Sequence, residues 1–154
     1  MRYWLMKSEP DSFSIDMLKK RPQGIEPWDG VRNYQARNFM RDQMQVGDQA
    51  FFYHSSCAVP GIYGLMEVAS TAYPDPSQFD PKHHHYDATA KREEPRWFLV
   101  DMRYVRHLKQ AITLEHLRQH EAKLAGCPLL MRGNRLSVMP IRSEHWHTIL
   151  KLEK

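Results

Sequence analysis

Apolar positions along the chain come in short bursts, broken by proline, glycine and charge. Tyr3 to Met6 is a continuous apolar, aromatic-rich run and reads as a strand. Lys7-Ser8-Glu9-Pro10 ends it, because Pro10 lacks an N–H and disfavours helix before it. Ser14 fits the cap of a short helix, with Asp16 in its first turn and Leu18 facing inward. Arg21 to Gly30 holds two prolines and two glycines and reads as a loop that delivers Trp28 at its end. Asn33 can cap a helix from Tyr34 to Gln45, on which Tyr34, Arg37, Asn38 and Arg41 share one face.

Beyond the Val46-Gly47-Asp48 turn the period changes. Gln49 to Ser55 reads as a strand with Phe51, Tyr53 and Ser55 on one side and Phe52, His54 and Ser56 on the other, one set being core. Gly61 to Ala72 gives a second strand or pair, and Trp97 to Val105 another. Thr113 to Leu124 reads as an amphipathic helix and Leu136 to Ile141 as a short strand. Ser143 is placed to cap a last helix carrying Trp146, Ile149 and Leu150. Tyr73 to Arg96, with Pro74, Pro76, Pro81, Pro95 and the run His83 to His85, is a long interruption of the kind that is functional or mobile. Strands with short helices between and around them predict an α+β fold, a small curved sheet or barrel.

Composition narrows the setting. At 154 residues, 42% apolar and 26% charged, the chain fits one domain over 1–154 able to bury a core without staples. A net charge of +4 permits a phosphate-bearing partner without requiring one. Cys57 and Cys127 stand alone, with no CxxC spacing, which argues against a disulfide scaffold or zinc finger and for a reduced compartment. The opening MRYWLMKSEPDSF has too few apolar residues before Lys7 and Glu9 for a signal peptide. The charge-free span Ala50 to Met66 is too short and polar for a membrane helix. The expectation is a soluble, monomeric, cytoplasmic protein, or a nuclear one in a eukaryotic source.

The segment WDGVRNYQARNFMRD, Trp28 to Asp42, concentrates the candidate chemistry. Trp28 is either a core plug or a wall on which a base stacks, a contact contributing about 1–3 kcal/mol. Asn33 offers a donor and an acceptor to a base edge. Arg32, Arg37 and Arg41 are either a solvated face or forks for phosphate, next to helix N–H groups that favour an anion. The second basic turn, Arg132 to Pro140, puts Arg132 and Arg135 within reach of phosphates and Ser137 within reach of a base; its alternative is an exposed hairpin. A nucleophilic reading would use Ser55 or Cys57 with His54 as base; His54 and Ser55 are a poor pair, since adjacent strand residues point apart. His83 to His85 lack zinc-site spacing and HExxH, and read as a polar loop tip with no metal.

Six ordered segments, YWLMKSEPDSFS, WDGVRNYQARNFMRD, VGDQAFFYHSSCAVPGIYG, AYPDPSQFDP, PRWFLVD and RGNRLSVMPI, resemble the EVE domain, a member of the PUA-like superfamily. The resemblance runs from about Arg2 to Leu150 and is weakest over Lys82 to Glu94. It implies a PUA-like pseudo-β-barrel with flanking short helices and no cofactor. It also implies a non-catalytic module that recognises a modified DNA or RNA base flipped into an aromatic pocket. By motif, Lys7, Ser8, Trp28, Asn33, Tyr34, His54, Ser55, Trp97 and Ser137 are the pocket-lining positions, with Arg32, Arg37, Arg41, Arg132 and Arg135 for phosphate. A small nucleotide-processing enzyme and a protein-interaction module using the basic face are the competing expectations.

Overall fold

The computed structural model describes residues 1–153. β1 (Tyr3–Ser8) runs parallel to β3 (Gln49–His54) and antiparallel to β8 (Val138–Ile141). β3 continues into β4 (Gly61–Val68), β4 into the long β7 (Asp101–Thr113), and β7 pairs with the short β2 (Ile25–Pro27). The result is a six-stranded sheet in the order β2-β7-β4-β3-β1-β8, curled into a half-barrel, with a two-stranded annex of β5 (Tyr73–Pro74) and β6 (Phe98–Leu99). This is the curved-sheet α+β architecture expected from the strand pattern.

Both faces of the sheet are buried, not one. Trp4, Met6, Ala50, Phe52, Met66 and Val138 pack in one cluster with Trp28, Ala36 and Met40. Their alternates Leu5, Phe51, Tyr53 and Met139 pack in a second cluster closed by Trp146, whose ring stacks on Phe51 at 3.9 Å. Alternation that reads as in-and-out on one strand is therefore one core against another. A bulge helps the sheet curl: Phe52 pairs with Gly64 and Tyr53 with Ile62, so Tyr63 is skipped.

The helices are shorter than the apolar period suggests. α1 (Ile15–Lys20) starts where expected, Ser14 accepting from the Met17 N–H. α2 (Tyr34–Asn38) is capped by Asn33, which accepts from the Ala36 N–H at 2.9 Å, and passes into a π turn at Phe39–Gln43. The Thr113–Leu124 helix is cut down to α3 (Leu114–Arg118): Thr113, held by β7 opposite Gly61, is its cap, and the chain leaves the helix after Arg118 for a separate 3-10 turn at Glu121–Leu124. α4 (Ser143–Leu150) is capped by Arg142 without a side-chain bond; Ser143 is its first residue, not its cap. Arg21 to Gly30 is not all loop, since Ile25–Pro27 joins the sheet edge.

Candidate nucleic-acid interface

Parallel pairing of β1 with β3 brings the carboxyl ends of both strands to one rim, and antiparallel β8 begins there. Ser8 pairs with His54, and the Lys7 N–H donates to the Ser137 carbonyl at 2.8 Å. Lys7, Ser8, Ser55 and Ser137 thus reach one place from three strand ends. Trp28 arrives from the far edge: it follows β2, and its N–H donates to the Val100 carbonyl at 2.9 Å. Together they line a pocket of about 680 Å³ with Phe13, Leu136, Arg135, Glu9 and Asp29, within the size range of ligand sites.

The apolar wall is well supported. Trp28 is 7% exposed and meets Phe52 and Phe13 edge-on at 5.4 and 6.2 Å, a favourable aromatic geometry. Trp28 is therefore core plug and pocket wall at once. The Ser8 hydroxyl donates to the Phe13 carbonyl at 2.6 Å and fixes the segment that carries Phe13. Burial pushes the Lys7 ammonium below its ordinary value, because a desolvated cation is disfavoured. No ion pair among the described residues uses Lys7 or Arg135.

Other expected site residues do different work. Arg32 spends its guanidinium on the fold, donating to Asp75 at 3.2 Å, to Ser77 at 3.1 Å, to the Val31 carbonyl and twice to the His85 carbonyl. With all five donors engaged it is a clamp, not a phosphate fork. Asp75 is fully buried. Burial alone raises its carboxyl, but hydrogen bonds from Ser77, Gly30 and Arg32 outweigh that and hold it below the usual carboxylate range. Asn33 is exposed and its oxygen is used as the α2 cap. His54 accepts from the Ile15 N–H at 3.2 Å and stacks on Tyr63 at 4.1 Å; burial pushes its pKa down. None of Asn33, Tyr34, His54 and Trp97 lines the Trp28 pocket.

The fold brings in residues that sequence reasoning left aside. His83 to His85 are not a free loop tip but line the Trp28 pocket, with the His85 carbonyl held by Arg32. Gly30, at φ +81°, lies so close to His85 that a Cβ there would meet its ring at 2.2 Å, which reserves the position for glycine. The three imidazoles carry ligand atoms within 4.8 Å of one another. Beneath the loop, Gln78 is buried and saturated, donating to the Asp75 and Trp97 carbonyls and accepting from the Arg96 and Trp97 N–H groups. The signal available beforehand was Asp75-Pro76-Ser77, an acceptor placed before a proline-opened turn.

A family model described as the EVE domain matches residues 2–152. The chain belongs to the EVE domain family. It is 48% identical to thymocyte nuclear protein 1 of Mus musculus, over 99% of this chain and 74% of that one. It superposes on the human THYN1 protein, solved in complex with 5-methylcytosine-containing DNA, with a TM-score of 0.95 at 43% identity, covering 100% of this chain and 98% of that one. A Pseudomonas syringae protein gives a TM-score of 0.92 at 51% identity, covering 97% and 98%. In this EVE domain the remaining expected cations separate. Arg135 borders the Trp28 pocket. Arg132 lines a neighbouring cavity of about 510 Å³ with Arg118, reached past Lys7. Arg37 and Arg41 border a third cavity with Tyr34. No helix among the described residues is long and apolar enough to cross a membrane.

Proposed function

We propose that this EVE domain is a non-catalytic reader of a modified nucleic-acid base, with 5-methylcytosine in DNA the first candidate, held extruded in the Trp28 pocket. One observation carries the reading: a pocket of about 680 Å³ lined by Trp28 and Phe13 together with serine hydroxyls and carboxylates, in a chain that superposes at TM-score 0.95 on a protein complexed with 5-methylcytosine DNA. Extrusion costs a few kcal/mol of stacking and pairing. A base held against aromatic walls regains about 1–3 kcal/mol, and a methyl buried against Phe13, Trp28 or Leu136 adds about 0.8 kcal/mol. Glu9, Asp29 and the serine hydroxyls are acceptors suited to a cytosine amino group. Lys7 and Arg135 supply phosphate affinity that is blind to sequence and weakens with salt.

The same geometry supports a non-catalytic reading. The His54 lone pair facing α1 is occupied by the Ile15 N–H, so it is not free to take a proton from Ser55 or Cys57, as a nucleophile's base must. A reader of nucleic acid with two free cysteines suits an intracellular, reducing setting, cytoplasmic or nuclear.

The test is a tryptophan-fluorescence titration with matched DNA and RNA oligonucleotides, single- and double-stranded, carrying cytosine, 5-methylcytosine, 5-hydroxymethylcytosine or N6-methyladenine. Tighter binding of one modified set, persisting at moderate salt and lost in Trp28→Ala, is the expected result. Trp28→Phe, which keeps the core filled, should weaken the preference without unfolding the domain. Equal binding of all sets, erased by salt, would leave only a basic surface and overturn the reading.

A further inference from the structure

Tyr34 opens into a cavity of its own, about 450 Å³, bordered by Arg37, Arg41, Lys91 and Arg96. Base recognition at Trp28 makes no use of it. Tyr34 is 53% exposed although its ring stacks on Trp97 at 5.0 Å and 23°. The Arg37 guanidinium lies 4.8 Å from the Tyr34 ring centre and 6.0 Å from that of Trp97. Were Arg37 and Trp97 on opposite faces of the tyrosine, their separation would approach the sum of the other two distances. At 6.0 Å they are not stacked across the ring from each other, which leaves ring surface open on the half-exposed tyrosine.

The ring is also braced from behind. Trp97 is 6% exposed and its indole N–H donates to Asp87 at 2.8 Å. Its backbone is bonded on both sides by Gln78. A preorganised platform loses little freedom when a planar ligand settles on it.

Cations outnumber acids around the groove: Glu94 is the one carboxylate in its lining, while Arg41 and Arg96 are paired with Asp42 and Asp87 just outside it. Arg37 donates to neutral oxygens only, the Asn38 side chain and the Arg96 carbonyl. No ion pair among the described residues includes Arg37 or Lys91. Burial and then the neighbouring Arg41 push the Arg37 pKa down, the mark of a cation that an added anion would relieve. An exposed aromatic ring beside an arginine with no carboxylate partner is the combination that takes a nucleotide, base on the ring and phosphate on the guanidinium.

We infer that the Tyr34 groove binds a second nucleotide of the strand whose modified base occupies the Trp28 pocket, an inference that rests on the base-reader reading above. The two cavities flank one shared contact: Arg32 lines the Trp28 pocket and lies 5.3 Å from the Trp97 ring centre. Stacking on a tyrosine face accepts any base. The groove therefore contributes affinity and register, while the pocket contributes choice.

The experiment compares wild type, Tyr34→Ala, Tyr34→Phe and Arg37→Gln on oligonucleotides carrying one cytosine or one 5-methylcytosine, with flanks of increasing length. Circular dichroism checks the fold of each variant. Tyr34→Ala is expected to weaken both oligonucleotides by about 5- to 100-fold, the loss of one stacked base, and to leave their ratio unchanged. Tyr34→Phe should bind as wild type, and Arg37→Gln should lower the salt slope by about 1. Trimming the flanks to the target nucleotide should erase the difference between wild type and Tyr34→Ala. Unchanged affinity of Tyr34→Ala for every flank length would overturn the inference. So would loss of the methyl preference in Tyr34→Ala, which would assign Tyr34 to the base pocket, or an effect confined to an acidic peptide such as polyglutamate, which would make the groove a protein site. Absence of any methyl preference in wild type, with Tyr34→Ala still weaker, would sink the base-reader reading and leave the groove standing.

Discussion

The pocket around Trp28 and the groove around Tyr34 are built from the same residue types, a ring and several arginines, yet they hold these in opposite states. At Trp28 the ring is 7% exposed and locked by Phe13 and Phe52, and Arg32 has every donor engaged within the protein. At Tyr34 the ring is half exposed and Arg37 has no carboxylate partner. An arginine whose donors are satisfied by the fold gives shape, and one whose donors face neutral oxygens keeps charge available to a ligand. On the proposed reading the same side-chain type serves specificity in one region and affinity in the other.

The largest expected effect breaks the Trp28 side. Arg32→Ala leaves the Asp75 carboxylate buried without its counter-charge, which costs about 3–5 kcal/mol. The Tm should drop by roughly 10 °C in a thermal melt, and modified-base preference should fall with it as His85 is released. Next, Gly30→Ala combines a left-handed backbone with a clash against His85, costing about 2 kcal/mol. In oligonucleotide titrations its effect should fall on the methyl preference and spare the contribution of the Tyr34 groove. A modest loss across all sequences in the same titrations would break the assignment of His85 to the pocket lining.

A smaller effect comes from pH. Burial depresses the pKa of both His54 and His85 below the ordinary histidine value. Both are neutral in the folded state above about pH 6.5, where the unfolded chain is neutral too, and stability there is flat. As pH falls below about 6.5 the unfolded chain takes up these protons first, so the Tm should decline between about pH 6.5 and 5. His54→Gln, which keeps an acceptor for the Ile15 N–H, should flatten part of that decline. The smallest effect is Arg41→Ala, a pair with Asp42 on the exposed surface. Its Tm should stay within about a degree, while the salt slope of oligonucleotide binding drops by about 1. An unchanged slope would remove Arg41 from the affinity side of the comparison.

Local signals were legible wherever a short segment contained its own reason. Ser14 and Asn33 cap helices because their side-chain oxygens reach an N–H three residues on, and no distant contact is needed. Lys7, Ser8, Ser55 and Ser137 reach one rim because they stand at the ends of apolar strands, which the hydrophobic pattern already marked. The misplacements have a common cause. Asn33, Tyr34, His54 and Trp97 carry side chains suited to a base, but residue type does not say which neighbour has already claimed them. For His54 that neighbour is Ile15, and for Trp97 it is Asp87. The Thr113–Leu124 period was real for a helix at its start, but the chain leaves it after Arg118 for a 3-10 turn at Glu121–Leu124.

By itself the sequence determined most of the strands, the Ser14 and Asn33 caps and the concentration of rings and arginines between Trp28 and Asp42. These follow from period, side-chain reach and composition, which are properties of neighbours along the chain. Only the tertiary structure decided that the sheet has two buried faces and that Arg32 is a clamp. Only it set His83 to His85 in the lining of the pocket, and Tyr34 in a groove apart from Trp28. Those outcomes depend on which donors and rings meet across long separations, such as Arg32 with Asp75 or Gly30 with His85. Hydrogen-bond satisfaction is settled by proximity in space, and no local period encodes it.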